Sequence, residues 1–447
     1  MRLLCIISLL GISALTYQCK SDSKSADSPE NQDEPSGEIS DSYNILLFIA
    51  DDMGVDVSDA YSYSEDPVST KYLTAMQKDG IVFDDFWATP ACTTTRGALI
   101  SGRHGYSSGI TFVPAVMDDA TRTVQQALNS SSVKQNYNTA IFGKWHLGGK
   151  NADVDHPNQF GVDNYFGNLF NLDDYFNWTA TENGEQSATT EYHTSLVASK
   201  AVEWISSQSS EKPWFAWVAF SAPHIPFHTP PAELLSAYSN PSTDKEKYFA
   251  MIEAMDTAMG RVLDGLSSEQ REKTVVIFLG DNGTPIKVMD KDVFDRDKGK
   301  NTVYEGGIRT PLIISGEPVT RKNVRDSSLI NITDFFATIL NIANQDEALA
   351  ADLVDPQQSY DFSDLIVTGF SPKTRRVYNY SEFEVDDSLS WAVRNATYKY
   401  INHESGQEEL FNIEDDINEA SNLIADSAYL DVVVKLRSYG ENLRASD

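Results

Sequence analysis

Four short apolar runs, at 44–50 (NILLFIA), 140–142, 214–220 and 274–279, each stop at a cluster of polar residues. Runs of that length without polar interruption read as strands buried on both faces, the habit of parallel sheets covered by helices. Between them lie helical patterns at 72–78, 95–101, 121–129, 193–206 and 248–266. Strands alternating with helices predict an α/β fold with a mostly parallel central sheet between helices. In such folds ligands collect beyond the carboxyl ends of the strands. The polar clusters fall there: Asp51-Asp52, Gly143-Lys144-Trp145-His146, Ser221-Ala222-Pro223-His224 and Gly280-Asp281-Asn282-Gly283. A single strand ending in Asp or Asn is an ordinary turn. Four such ends delivering carboxylates, an amide, a lysine and two histidines predict one crevice.

The ends of the chain have a different character. Met1-Arg2 followed by the apolar run 3–15 reads as an export signal over 1–18, too short to span a bilayer comfortably. Cys19 then opens a polar stretch, 19–42, rich in Ser, Asp, Glu, Asn and Pro, which has too little apolar surface to fold and reads as an acidic tether. That pattern expects an exported protein: a periplasmic or outer-membrane-associated lipoprotein anchored at Cys19 in a bacterium, or otherwise a secreted one. The catalytic domain is expected over 43–366. An amphipathic helix at 330–342 packs in its core, and an acidic loop at 345–363 follows. The remainder, 367–447, reads as a C-terminal subdomain with short antiparallel strands at 376–380, 390–394 and 397–402 and a closing helix at 430–439.

Charge and cysteine usage narrow the function. Lys+Arg number 35 against 66 Asp+Glu, a net charge of -31, which repels nucleic acid and anionic membrane surfaces. Of three cysteines, Cys5 lies in the signal and Cys19 at its end, so Cys92 alone remains inside the mature body. One cysteine forms no internal disulfide, and an exported protein has little reason to keep a free thiol unless it is chemically used.

The segment around it, Pro90-Ala91-Cys92-Thr93-Thr94-Thr95-Arg96 continued by Leu99-Ile100-Ser101-Gly102-Arg103, resembles the signature of the formylglycine sulfatases. Further landmarks of that family follow in order: Asp51-Asp52-Met53-Gly54, Gly143 to Gly148, His224-x-Pro226, Gly280 to Gly283, Gly299-Lys300 and Tyr304 to Pro311. Lys399-Tyr400-Ile401, Glu409 to Asn412 and Asn422-Leu423 resemble its C-terminal subdomain. Thr94 departs from the usual Pro or Ala. The resemblance implies an alkaline-phosphatase-like sandwich with an antiparallel C-terminal sheet, and a Cys92 oxidised to formylglycine (3-oxoalanine) by a formylglycine-generating or anaerobic sulfatase-maturating enzyme. It also implies calcium, with magnesium as the alternative, held by Asp51, Asp52, Asp281, Asn282 and the modified Cys92. In the family mechanism one hydroxyl of the hydrated aldehyde attacks sulfur, and deprotonation of the other releases sulfate.

Residue chemistry agrees with this. A sulfate ester brings concentrated negative charge, and a hard cation with oxygen ligands is a suitable counterweight. Arg96 lies one helical turn beyond Cys92, on the same face. Lys144 and His146 alternate about Trp145, one side of an extended segment. Lys144 is assigned to the diol or sulfate oxygens and His146 to the base. His224 and Lys300 become sulfate contacts and candidate acids for the leaving oxygen, with His228 beside them on the substrate side. His104 reads equally as structural or direct, and the aromatic stretch 164–178 as a sugar-stacking wall or a packed insertion. The expected substrate is a sulfated glycan or small sulfate ester. Phosphonate or phosphate ester hydrolysis on the same scaffold stays open, as does an inactive glycan-binding relative.

Overall fold

The computed structural model describes residues 42–130, 136–295, 297–343, 354–367 and 372–445. The expected signal with Cys5, the tether with Cys19 as far as residue 41, and residues 345–353 of the acidic loop lie outside the described residues. Those described belong to one compact unit, and among them no helix is long and apolar enough to cross a membrane.

The unit is built on a ten-stranded sheet. From one edge its strands run Val324–Asp326, Gly80–Phe83, Leu312–Ser315, Thr274–Gly280, Asn44–Ala50, Trp214–Ala219, Asn138–Gly143, Asn164–Gly167, Trp178–Glu182 and Glu185–Thr189. The five from Thr274–Gly280 to Asn164–Gly167 are parallel; antiparallel pairing extends the sheet on both sides, except that the edge strand Val324–Asp326 runs parallel to Gly80–Phe83. Side chains of the central strand Asn44–Ala50 alternate between two cores, as a period of two requires. Leu46, Phe48 and Ala50 join the layer under the helices Lys71–Lys78, His193–Ser207 and Asp244–Asp264. Ile45, Leu47 and Ile49 join the layer under Cys92–Ser101, Val124–Leu128 and Asp334–Ile342. Each of the leucine, isoleucine and phenylalanine side chains among these, once fully buried, contributes roughly 1.5–3 kcal/mol. With helices on both faces, this is the expected alkaline-phosphatase-like sandwich.

Two elements differ from expectation in ways that matter. The helix expected from residue 95 begins at Cys92, so the thiol sits in its first turn. The helix expected from residue 330 begins at Asp334, because Ile330 and Asn331 are taken up in a short parallel pair with Phe86 and Trp87.

The C-terminal antiparallel sheet has four strands, Asn379–Val385, Ser388–Arg394, Tyr398–His403 and Glu408–Asn412. One face carries Tyr380, Trp391, Val393, Tyr400 and Leu410 against Val433, Leu436 and Leu443 of the closing helix Leu430–Arg444. The other face carries Phe383, Ala392, Ile401 and Phe411 against Trp87, Ala91, Val303 and Ile308, residues that flank the nucleophile helix and the loop bearing Lys300. A buried ion network reinforces the junction. Lys399 Nζ lies 3.1 Å from Glu305 and 2.8 Å from Glu419, while Arg309 pairs with Glu305 at 2.5 Å.

Candidate active site

Register sets the site. Ala50 is opposite Gly280 and Ile49 opposite Ala219, while Gly143 is also opposite Ala219, so the four strands end level and their polar clusters emerge together. Close packing there requires glycine. Gly143 has φ 103°, and a Cβ on it would lie 2.0 Å from Ala219 O; one on Gly283 would lie 1.8 Å from Gly306 O. Asp52 turns away from its strand with φ 75°. The turn is held by its own N–H, which donates to Asp281 Oδ1 at 3.0 Å, and by Tyr248, whose hydroxyl donates to Asp52 O at 2.7 Å.

Cys92, 3% exposed, is the hub. Its Sγ is 3.1 Å from Asp51 Oδ1, 3.8 Å from Asp52 Oδ1 and 3.5 Å from Lys300 Nζ. Asp51, Asp52, Cys92 and His224 present ligand atoms within 4.8 Å of one another. Lys144 Nζ donates to Asp51 Oδ2 at 2.5 Å, and Lys300 pairs with Asp52. Arg96 donates to Asp281 Oδ2 at 2.9 Å and to Lys144 O at 2.7 Å. Its hydrogen bonds thus brace the carboxylate and the lysine backbone around Cys92. His224 Nε2 is 3.9 Å from Asp52 Oδ2, and its Nδ1 donates to Ile225 O at 2.8 Å.

His146 arrives by another route than a plain extended segment. Its backbone is left-handed, φ 63°, and its N–H donates to Leu169 O. Thr93 Oγ1 lies 3.3 Å from its Nδ1, Phe170 packs edge-on at 4.8 Å, and its buried Nε2 has no hydrogen-bond partner. Thr94 fits the first turn of the helix, its hydroxyl donating to Ala91 O at 2.8 Å and contacting Thr89. The departure from Pro or Ala is therefore accommodated locally.

The fields are strong because water is excluded. Burial alone would raise Asp51, yet Lys144, His224, Arg96 and Lys300 hold it well below the usual carboxylate range. Burial, with Asp51 beside it, pushes Asp281 up to about 7. Burial also pushes the Cys92 thiol well above its ordinary value, helped by Asp51, so the unmodified side chain is a poor nucleophile. Burial lowers His146 far below the ordinary imidazole value, helped by Lys144 and Arg96, and leaves it a neutral proton acceptor.

The donor set fits a hard divalent cation. Asp51 and Asp52 offer carboxylate oxygens, and Asn282 leaves its buried Oδ1 without a partner while its Nδ2 donates to Asp52 Oδ1 at 2.8 Å. Asp281 already accepts on both oxygens, from Asp52 N–H and Arg96. Each retains a second lone pair. Three basic side chains, Arg96, Lys144 and Lys300, face three carboxylates, so a bound divalent cation would leave net positive charge for an anion.

His228 is not brought to this cluster. Its Nδ1 donates to Pro226 O at 2.9 Å, its Nε2 is 3.1 Å from the Tyr192 hydroxyl, and Tyr175, Phe176 and Tyr192 enclose its ring. With one nitrogen on the Pro226 carbonyl and the other on Tyr192, His228 does not line the cleft over Cys92. The stretch 164–178 is mainly packing: Phe166, Tyr175 and Trp178 are buried, and Phe176 is 38% exposed. His104 is buried against Tyr106 and Tyr380 of the C-terminal sheet, a structural placement. A cleft of about 510 Å³ opens over Cys92, His146, His224 and Lys300. Its outer walls, which no motif marked, come from Phe112 and Val113 on one side and the hairpin 383–387 on the other.

A family model described as sulfatase matches residues 43–345, and one described as N-sulphoglucosamine sulphohydrolase, C-terminal, matches residues 292–446. The chain is 27% identical over 388 residues to Arylsulfatase G of Mus musculus, covering 75% of this chain and 70% of that one. It is 26% identical over 361 residues to the ulvan-active sulfatase of Formosa agariphila, covering 75% and 66%. Against Arylsulfatase J of Mus musculus it is 24% identical over 357 residues, 75% of this chain, and spans 58% of that protein's length. Among solved structures, Ps i-CgsB in complex with k-i-k-neocarrahexaose superposes with TM-score 0.75 at 22% identity, covering 90% of this chain and 93% of that one. A structure in complex with its substrate D-glucosamine-2-N,6-O-disulfate superposes with TM-score 0.71 at 16% identity, covering 91% and 99%. At these identities the structural likeness speaks for the fold.

Proposed function

This chain belongs to the formylglycine-dependent sulfatase family, and on that premise we propose that it hydrolyses sulfate esters carried by glycans. The buried cluster of Asp51, Asp52, Cys92 and His224 matches the metal-binding, formylglycine-bearing centre of that family. The observation that carries the reading is the position of Cys92: first turn of a helix, within reach of two carboxylates and a lysine, at the floor of an open cleft.

Oxidation of Cys92 to formylglycine supplies a hydrated aldehyde as nucleophile, and calcium held by Asp51, Asp52, Asp281 and Asn282 supplies charge stabilisation. The other residues divide the work. Lys144 and Lys300 neutralise the sulfate oxygens, with Arg96 fixing Asp281 and the Lys144 backbone beneath them. His146, neutral and with Nε2 unpartnered toward the cleft, accepts the proton whose removal releases sulfate. His224 donates Nδ1–H to Ile225 O, so its Nε2 carries a proton for the leaving oxygen only in the cationic form; burial lowers its pKa and disfavours that form, and Asp52 offsets this in part. Lys300, held in its charged form by Asp52 against the effect of burial, is the second donor on that side.

The likeness to an ulvan-active sulfatase and to a structure in complex with neocarrahexaose supports a glycan as substrate. Export, with Cys19 as the lipidated first residue of the mature chain and a formylglycine-forming enzyme as biosynthetic partner, completes the proposal. It is tested by coexpression with a maturing enzyme, mass analysis of the Cys92 peptide, and parallel assay of 4-nitrophenyl sulfate and 4-nitrophenyl phosphate. An aldehyde at position 92 and preference for the sulfate are expected. An unchanged thiol without turnover, or preference for the phosphate, overturns it.

A further inference from the structure

The cleft above Cys92 is assembled from two segments distant in sequence, and its two depths differ in charge. At the floor, His146, His224 and Lys300 face the reacting group. Further out, Glu384, Asp386 and Asp387 line the hairpin wall. Lys300 is the sole lysine or arginine among the described residues lining the cleft, and it is turned inward onto Asp52 and Cys92. The outer carboxylates therefore have no basic counterpart in the cleft. Their placement is fixed. Glu384 accepts from the Thr111 hydroxyl at 2.6 Å, and its N–H donates to Thr111 O at 2.9 Å, tying one wall to the other. Asp386 and Asp387 both have positive φ, 50° and 62°, the signature of a tight two-residue hairpin turn. Apolar surface is also left open across the gap: Phe112 is 42% exposed and Val385 47%. Two such side chains beside a nucleophile suit the faces of a sugar ring.

We propose that the ring of outer carboxylates makes this cleft select a sulfate ester borne by an otherwise uncharged sugar and reject sugars carrying a second sulfate or a carboxylate. The inference rests on the sulfatase reading and deepens it. Hydroxyl groups of a neutral sugar donate to Glu384, Asp386 and Asp387, and hydrogen bonds to charged acceptors are the stronger kind. A second anion loses those bonds and meets like charges a sugar's width away. The same oxygens thus attract one substrate class and exclude the other.

The test uses the matured full-length protein and kcat/KM for 4-nitrophenyl sulfate, a hexose monosulfate, the matching uronic acid monosulfate and the matching hexose disulfate. At low salt the hexose monosulfate is expected to lead its doubly charged counterparts by about tenfold, the scale of three like charges acting through water at that distance. Asp386→Asn with Asp387→Asn, substitutions that tolerate the left-handed backbone, narrows the ratio to about twofold. Raising the salt to about 0.5 M narrows the wild-type ratio similarly, because the Debye length falls below the gap. A wild-type ratio near one, or a ratio that neither the double variant nor salt alters, overturns the proposal while turnover of 4-nitrophenyl sulfate keeps the sulfatase reading. Absence of turnover on every sulfate ester overturns both.

Discussion

His224 and His146 sit in one cleft but are distinguished by their hydrogen bonds. His224→Ala is expected to slow sulfates of poor leaving groups, such as alkyl or sugar esters, by about 10²–10⁴-fold and activated aryl sulfates far less, as measured by kcat on a leaving-group series. Equal losses would assign the leaving-group proton to Lys300 alone. A second residue prediction concerns stability. Asp56 is buried, accepts from Thr284 at 2.7 Å and from Asp290 N–H at 3.0 Å, and burial raises its carboxyl to about 6. The folded state therefore holds this proton more tightly than the unfolded chain. Its contribution is fully present below about pH 4 and fades as pH rises through 6, about 1–3 kcal/mol in all. Asp56→Asn removes that titration, and Thr284 Oγ1 can accept from the amide in its place. Urea unfolding at pH 4, 5, 6 and 7 should show a flatter profile in the variant, and a parallel slope would refute the assignment.

At the scale of elements, the junction between the C-terminal sheet and the sandwich is an ionic knot inside an apolar seam. Lys399 is completely buried between Glu305 and Glu419, and burial pushes Glu419 up to about 7 against the pull of Lys399. Lys399→Met leaves Glu419 without its cation and Glu305 with Arg309 alone, and should cost about 3–5 kcal/mol in urea unfolding. Adding Glu419→Gln should restore part of it, and no recovery would place the loss in packing instead. The apolar runs of the central strands were legible because burial on both faces leaves no polar residue to confuse the pattern. The start of the helix at Cys92 was not, since Cys92-Thr93-Thr94 has weak helix propensity and is held by tertiary contacts such as Thr93 with His146. Sequence reasoning likewise could not find Phe112 or the 383–387 hairpin as cleft walls. Thr111 and Glu384 bond across 273 residues, and neither belongs to a motif.

At the scale of the whole molecule, three basic and three acidic side chains nearly balance in the site, while the chain as a whole carries -31. Calcium bound to the native state alone should stabilise it by about 2.7 kcal/mol at a hundred times its Kd. A chelator should lower the thermal midpoint, calcium should restore it, and Asp51→Asn should abolish the response. A midpoint indifferent to calcium would place no such cation at these carboxylates. The four polar strand ends were visible as separate clusters. Their meeting depends on the sheet order, in which Asn44–Ala50 is inserted between Trp214–Ala219 and Thr274–Gly280. That order sets a timetable for the growing polypeptide. Asp52 waits for Asp281, 229 residues downstream. At ribosomal speeds of roughly 5–20 residues per second the interval is roughly 10–50 s. Cys92, made 40 residues after Asp52, spends the rest of it without Asp281 beside its helix, a window in which an enzyme able to rework a thiol can reach it.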